Sequence, residues 1–146
     1  MQRYLAIDYG TVQVGLAMSD PLGLIATGFK TLNHKAKTMD EIAFEIAEIV
    51  KDHDITDLIL GLPKRTDGIV GEKEQLTREF AEILEKVTGL KPILYDERYT
   101  TVIAHQFMNQ TGVNPKRKKA IIDQVAAEIL LQNYLEKHSK NIFDNI

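Results

Sequence analysis

Residues 4–9, Tyr-Leu-Ala-Ile-Asp-Tyr, form an apolar run that closes on one aspartate and is followed by Gly10-Thr11. Alternation along a strand puts Tyr4, Ala6 and Asp8 on one face and Leu5, Ile7 and Tyr9 on the other. An opening strand that is apolar on both faces is expected at the centre of a sheet. A carboxylate at the end of such a strand is costly to desolvate unless a partner pairs with it or a metal binds it. Much therefore depends on which groups the rest of the chain gathers around Asp8.

After the glycine turn, residues 13–19 (QVGLAMS) read as a second strand pairing back as a hairpin. Gly15 within it marks a close approach or a bulge. Asp20-Pro21-Leu22-Gly23 has the composition of a turn, and residues 25–32 read as a third, edge-like strand. Residues 38–53 carry Met39, Ile42, Ala43, Ile46, Ala47, Ile49 and Val50 at helical spacing, and Thr38 with Glu41 has the form of a capping box. Residues 57–61 read as a short buried strand, and residues 62–71 as a loop with two glycines. A second helix turns Leu76, Phe80, Ile83, Leu84 and Val87 inward and ends at Gly89. Residues 91–95 form a fifth strand, with Asp96-Glu97-Arg98 leaving its carboxyl end. Thr100 or Thr101 caps a third helix ending near residue 109, and residues 112–119 form a basic loop. The last helix sets Ile122, Val125, Ala126, Ile129, Leu130 and Asn133 on one side, and residues 137–146 read as a tail that frays.

This order, βββαβαβαα, predicts an α/β fold in one domain over residues 1–146. Its sheet is mixed and five-stranded, antiparallel in the first hairpin and parallel later, with helices on both faces. Ligands of such sheets bind beyond the carboxyl ends of the parallel strands, where Asp8, the loop after Gly61 and Glu97 all fall.

Composition narrows the chemistry. The chain has no cysteine, which excludes a disulfide framework, a cysteine zinc site and a thiol nucleophile. The first residues lack a signal-peptide layout and no apolar run is long enough to span a bilayer, so a cytoplasmic protein without membrane contact is expected. A net charge of −3 argues against non-specific coating of nucleic acid but leaves room for a local basic patch.

Three acids stand out: Asp8 after the first strand, Glu97 after the fifth, and Asp123 in the first turns of the last helix. Taken singly, each has an ordinary explanation: a turn-forming aspartate, a surface acid paired with Arg98, and an acid favouring the positive end of its helix. Jointly they point elsewhere. Asp8 and Glu97 fall at one sheet edge, and Asp123 borders the helix's buried stripe. Converging carboxylates without His or Cys select a hard cation, Mg²⁺ or Mn²⁺, and such a site suits phosphodiester hydrolysis.

At these residues the chain resembles the YqgF/RuvX family of ribonuclease-H-like proteins. Asp8-Tyr9-Gly10-Thr11 followed by Val14-Gly15-Leu16-Ala17-Met18-Ser19-Asp20 resembles the family's first hairpin. Gly61-Leu62-Pro63 with Asp67-Gly68 and Gly71 resembles its loop after the fourth strand, and residues 95–101 (YDERYTT) its motif after the fifth. Lys118-Lys119, residues 122–127 (IDQVAA) and residues 129–132 (ILLQ) resemble its last-helix motif. The resemblance implies that Asp8, Glu97 and Asp123 are the metal-binding catalytic acids of a nuclease. It implies a structured nucleic-acid substrate, the 5′ end of the small-subunit ribosomal RNA precursor ahead of a branched DNA (Holliday) junction, with ribosomal precursor particles as possible partners. A monomer or a homodimer is compatible with it. Two positions depart from the pattern: Gln13 stands where the family usually has arginine, and Glu72 where proline often follows the glycine. The resemblance therefore carries no phosphate contact to Gln13.

Cations supply the candidate substrate contacts. Lys116, Arg117, Lys118 and Lys119 form the densest positive run and precede Asp123, while Lys64 and Arg65 sit in the glycine-bearing loop. Arg98 is placed either to grip a phosphate bidentately or to brace the acids. Tyr9, Tyr95 and Tyr99 are expected near the site, chiefly as packing residues, and the four histidines lack ligand spacing. Two other classes compete. Asp8-Tyr9-Gly10-Thr11 also resembles the first phosphate-binding hairpin of the actin-like phosphotransferases, which need a second such hairpin and a second domain. A non-catalytic RNA-binding module would leave the acids apart.

Overall fold

A computed structural model describes residues 2–65, 67–96 and 115–144, the last segment with side chains over 122–137. In chain order the elements are β1 (Tyr4–Tyr9), β2 (Gln13–Ser19), β3 (Ala26–Asn33), α1 (Met39–Asp52), β4 (Asp57–Leu62), α2 (Glu72–Thr88), β5 (Ile93–Asp96) and α3 (Pro115–Asp144). The sheet order is β3-β2-β1-β4-β5, so the opening strand is central. β1 pairs antiparallel with β2 and parallel with β4; β2 and β3 are antiparallel, and β4 and β5 parallel.

The alternation along β1 decides what each face buries. Leu5, Ile7 and Tyr9 join Val14, Leu16, Leu58 and Leu60 beneath α1 and α2, against Ile42, Ile46, Phe80 and Leu84. Tyr4 and Ala6 join Ala17, Ala26 and Ile59 beneath α3, against Ala127, Leu130, Leu131 and Leu135. Asp8 shares the parity of Tyr4 and Ala6 and so belongs to the α3 side.

The caps match their sequence signals. Thr38 caps α1 by accepting from the Glu41 N–H at 3.2 Å, and its own hydroxyl donates toward the Glu41 carboxylate at 3.5 Å. α2 stops at Gly89, whose φ of 76° opens the left-handed region.

α3 departs from expectation at both ends. Residues 115–119, expected in a basic loop, are its first turns: Pro115 begins the helix, where a fixed φ and a missing N–H cost nothing. The helix also runs through residues 137–144, where the sequence shows no apolar pattern. Its buried line is Ile122, Ala126, Ala127, Leu130, Leu131 and Leu135, whereas Asn133 is exposed. The region is apolar nearly all round, so periodicity alone does not fix its inward face. The proposed helix after Thr100 or Thr101 lies outside the described residues.

Candidate active site

β1, β4 and β5 run in one direction, so their carboxyl ends share an edge. Asp8 stands on that edge, opposite Gly15 of β2 in the antiparallel register. Residues opposed in this way send their side chains to one face. Gly15 has no side chain to send, and α3 takes the space. A Cβ built on Gly15 would lie 2.0 Å from the Asp123 carbonyl oxygen and 2.9 Å from the Asp123 Cβ. The sequence left two meanings open for Gly15; the close approach is the right one, and the irregularity in β2 falls one step on, between Leu16 and Ala17. Because opposed Cβ positions are about 5 Å apart, the Asp8 and Asp123 Cβ atoms lie within about 8 Å of each other. That separation lets two carboxylates reach one cation. Both residues are half-buried.

Asp123 lies in the third turn of α3, not the first, because the helix starts at Pro115. The helix dipole acts within the first turn, so favour at the positive end does not explain an acid there. Glu97, the third predicted acid, and Arg98 lie outside the described residues. Among the described residues, no three His, Cys, Asp or Glu side chains gather round one point.

Polar side chains lock α3 in place along β3. The Gln124 amide donates to the Thr31 hydroxyl at 3.0 Å, and the Ala26 N–H donates to the Gln132 side-chain oxygen at 3.0 Å. Both glutamines lie in the IDQVAA and ILLQ stretches of the last helix, although the sequence assigned them no contact. The contacts make α3 antiparallel to β3 and put the start of α3 at the Asp8 edge. The backbone of residues 116–119 therefore lies about 6–10 Å along the axis from Asp123, beyond that edge. Their charge is unusual for their place. α1 and α2 carry Asp40, Glu41, Glu72 and Glu74 in their first turns, whereas α3 has no acid in its first turn and Lys116, Arg117, Lys118 and Lys119 follow its proline. Cations there oppose the dipole, so helix stability alone does not account for them.

The second basic pair lies in the loop after β4. Arg65 grips Asp67 through two bonds, 2.6 and 3.2 Å. That pairing, with a bond from the Ile69 N–H, holds the Asp67 carboxyl below its ordinary value. Lys64 is exposed and has no partner among the described residues. Both side chains line a cleft of about 290 Å³ with Pro63, Gly71, Glu72, Lys73 and Glu74.

The tyrosines do not gather at the acids. Tyr9 stacks on Phe80 at 4.1 Å on the α1/α2 side, while Tyr95 meets Tyr134 edge-on at 5.7 Å on the α3 side. Strand parity separates them, since Tyr9 is one residue past Asp8. Tyr99 lies outside the described residues. His34 is structural, as expected: its Nδ1 lies 3.0 Å from the Gly10 carbonyl oxygen and its ring packs on Tyr9.

A mixed sheet with an antiparallel opening hairpin, and with acids at the carboxyl edge of its central strand, defines a ribonuclease-H-like protein. The backbone superposes on that of Thermus thermophilus RuvC, solved alone and with a Holliday junction substrate. TM-scores are 0.57 and 0.56 at 11% and 12% identity, over 95% of this chain and 97% and 96% of the other. Residues 2–137 match the family model described as "RuvX: Holliday junction resolvase". Two relatives named "Putative pre-16S rRNA nuclease" are close in sequence. The protein of Lachnospira eligens is 38% identical over 94% of this chain and 99% of its own length. That of Ruminiclostridium cellulolyticum is 34% identical over 95% and 97%. The chain belongs to the RuvX family.

Proposed function

We propose that this chain is a divalent-metal-dependent endonuclease, in one domain, that hydrolyses phosphodiesters in structured RNA at the 5′ end of the 16S ribosomal RNA precursor. The observation that carries the reading is the seating of the Asp123 backbone on Gly15, directly across the ladder from Asp8. A protein that only bound RNA would have no need to crowd two carboxylates at a sheet edge, where their repulsion is unfavourable.

The donor set fits a hard cation. Asp8 and Asp123 offer oxygen only, and no His or Cys accompanies them among the described residues. Asp8, Asp123 and Glu97 would hold Mg²⁺ or Mn²⁺. When bound, such an ion supplies Lewis-acid polarisation of the phosphodiester and of water. The chain's own residues do the rest. The rigid pairing of β1 with β2 and β4 fixes Asp8, and the packing of α3 on β2 fixes Asp123. Lys116, Arg117, Lys118 and Lys119 give phosphates a positive approach at the same edge. Lys64 and Arg65 extend that approach beyond the end of β4, and Arg98 is a further candidate for phosphate contact. Such a protein works in the cytoplasm, as a monomer or homodimer, on free precursor or on ribosomal precursor particles. No helix among the described residues is long and apolar enough to cross a membrane.

The test is cleavage of a labelled 16S-precursor RNA beside a four-way DNA junction, with Mn²⁺, comparing wild type with Asp8→Asn. RNA cut by wild type alone supports the proposal. Cutting of the junction alone would replace it with the resolvase reading, and equal cutting by Asp8→Asn would remove Asp8 from the site.

A further inference from the structure

Two glycines of the sheet face α3, and they are not equivalent. A Cβ on Gly28 of β3 would meet the Gln124 Cβ and Oε1 and the Glu128 Oε2 at 3.6 Å, which is ordinary contact. A Cβ on Gly15 would meet backbone, the Asp123 carbonyl oxygen at 2.0 Å and its carbon at 2.3 Å. Real Cβ atoms essentially never come within 3.0 Å of such an atom, so even alanine would drive the two chains apart by an ångström or more. Nothing has to move to admit a Cβ at Gly28, whereas at Gly15 the obstacle is helix backbone, which yields only if that part of α3 retreats from the sheet.

Those backbone atoms belong to Asp123, and the residue across the ladder from Gly15 is Asp8. A retreat of α3 from Gly15 therefore widens the gap between these two residues. Mg²⁺ demands near-ideal octahedral geometry at about 2.1 Å, whereas larger, less exacting ions tolerate a wider gap. We propose that Gly15 is a positioning residue: by admitting the Asp123 backbone onto the sheet it sets the separation of the Asp8 and Asp123 carboxylates, and so favours Mg²⁺ over larger ions. This rests on the metal-site reading above.

The experiment is direct titration of Mg²⁺ and Mn²⁺ into the full chain by calorimetry, with Mn²⁺ also followed by electron paramagnetic resonance. The chains compared are wild type, Asp8→Asn, Gly15→Ala, Gly28→Ala and the double variant Gly15→Ala/Asp123→Glu, each with its thermal melt. Gly15→Ala is expected to bind Mg²⁺ about tenfold or more weakly while Mn²⁺ weakens only about threefold. Gly28→Ala is expected to match wild type for both ions. In the double variant, the extra methylene adds about 1.5 Å of reach and is expected to restore much of the Mg²⁺ affinity.

Wild-type affinities in a cooperatively melting Gly15→Ala chain would overturn the proposal. So would an equal loss for both ions, or a Gly15→Ala chain that no longer melts cooperatively, since Gly15 would then serve packing alone. Failure of the underlying reading looks different: wild type would bind neither ion, or Asp8→Asn would bind as wild type does, and the proposal would fall with it.

Discussion

The two faces of the sheet differ in the size of the side chains that the strands present. Under α1 and α2 the contacts are large: Leu5, Ile7, Leu16 and Leu60 meet Ile42, Ile46, Phe80 and Leu84, all fully buried. Such side chains hold helices at an ordinary distance and remove much apolar surface from water. Under α3 the sheet offers Ala6, Gly15, Ala17, Ala26 and Gly28 beside Tyr4 and Ile59, and the helix answers with Ala126 and Ala127 as well as Leu130, Leu131 and Leu135. Small residues bury less area per contact, but they let backbone meet backbone. Both faces bury apolar surface, and the α3 face also sets the position of Asp8 and Asp123.

The comparison fails if changes on the two faces cannot be told apart. The largest effect is expected at the acids. Asp8→Asn should lower metal-dependent cleavage about 10²-fold or more while changing the melting temperature little, because asparagine keeps the size of aspartate and removes its charge. A melting temperature that fell with activity would show Asp8 to be structural. Next comes Phe80→Ala, which empties a fully buried site stacked on Tyr9. It should cost about 3–5 kcal/mol by denaturant unfolding while the folded fraction keeps wild-type metal affinity. Weakened Mn²⁺ binding there would mean that the α1/α2 face positions the acids after all. On the opposite face, Ala6→Val overfills a fully buried position beneath α3. It should cost about 1–3 kcal/mol and lower metal affinity as well, if the strain is relieved by a shift of α3, which carries Asp123.

Much of this division was legible in the sequence. The alternation Tyr4-Ala6-Asp8 against Leu5-Ile7-Tyr9 assigned the faces, because a central strand has only two. Gly15 within an apolar strand marked a close approach or a bulge, and the structure selects the first. What could not be read was the depth of Asp123 in its helix. Lys116, Arg117, Lys118 and Lys119 violate the preference for acids at a helix start, so rules built on helix stability place a loop there. The inward face of α3 was likewise hidden. Ile122, Val125, Ala126, Ala127, Ile129, Leu130 and Leu131 leave periodicity without a clear side, and packing against Tyr4, Ala6, Ala17, Ala26 and Ile59 turns Ala127 and Leu131 inward while Asn133 is exposed. Tyr9 follows Asp8 directly and yet turns away from it, because a one-residue step along a strand changes face.

The smallest expected effect separates the faces by pH. Burial, with the nearby Glu79 charge adding to it, pushes the Tyr9 phenol up to about 12 on the α1/α2 side. The ordinary value is 10.0. The folded chain therefore keeps this proton where the unfolded chain has lost it. The contribution is fully present below pH 10 and disappears as pH rises through the folded value. Between those limits unfolding should become easier by about 1–2 kcal/mol through Tyr9 alone. On the α3 side Tyr4 and Tyr134 are also raised, chiefly by burial and then by the Asp57 charge, and they add slope of the same sign. Tyr9→Phe should leave neutral-pH stability nearly unchanged and remove only its share of the alkaline loss, followed by urea midpoints from pH 8 to about 12. If Tyr9→Phe leaves the alkaline slope intact while Tyr4→Phe abolishes it, the more strongly desolvated phenol belongs to the α3 face, and the packing contrast between the faces is weaker than their side-chain sizes imply.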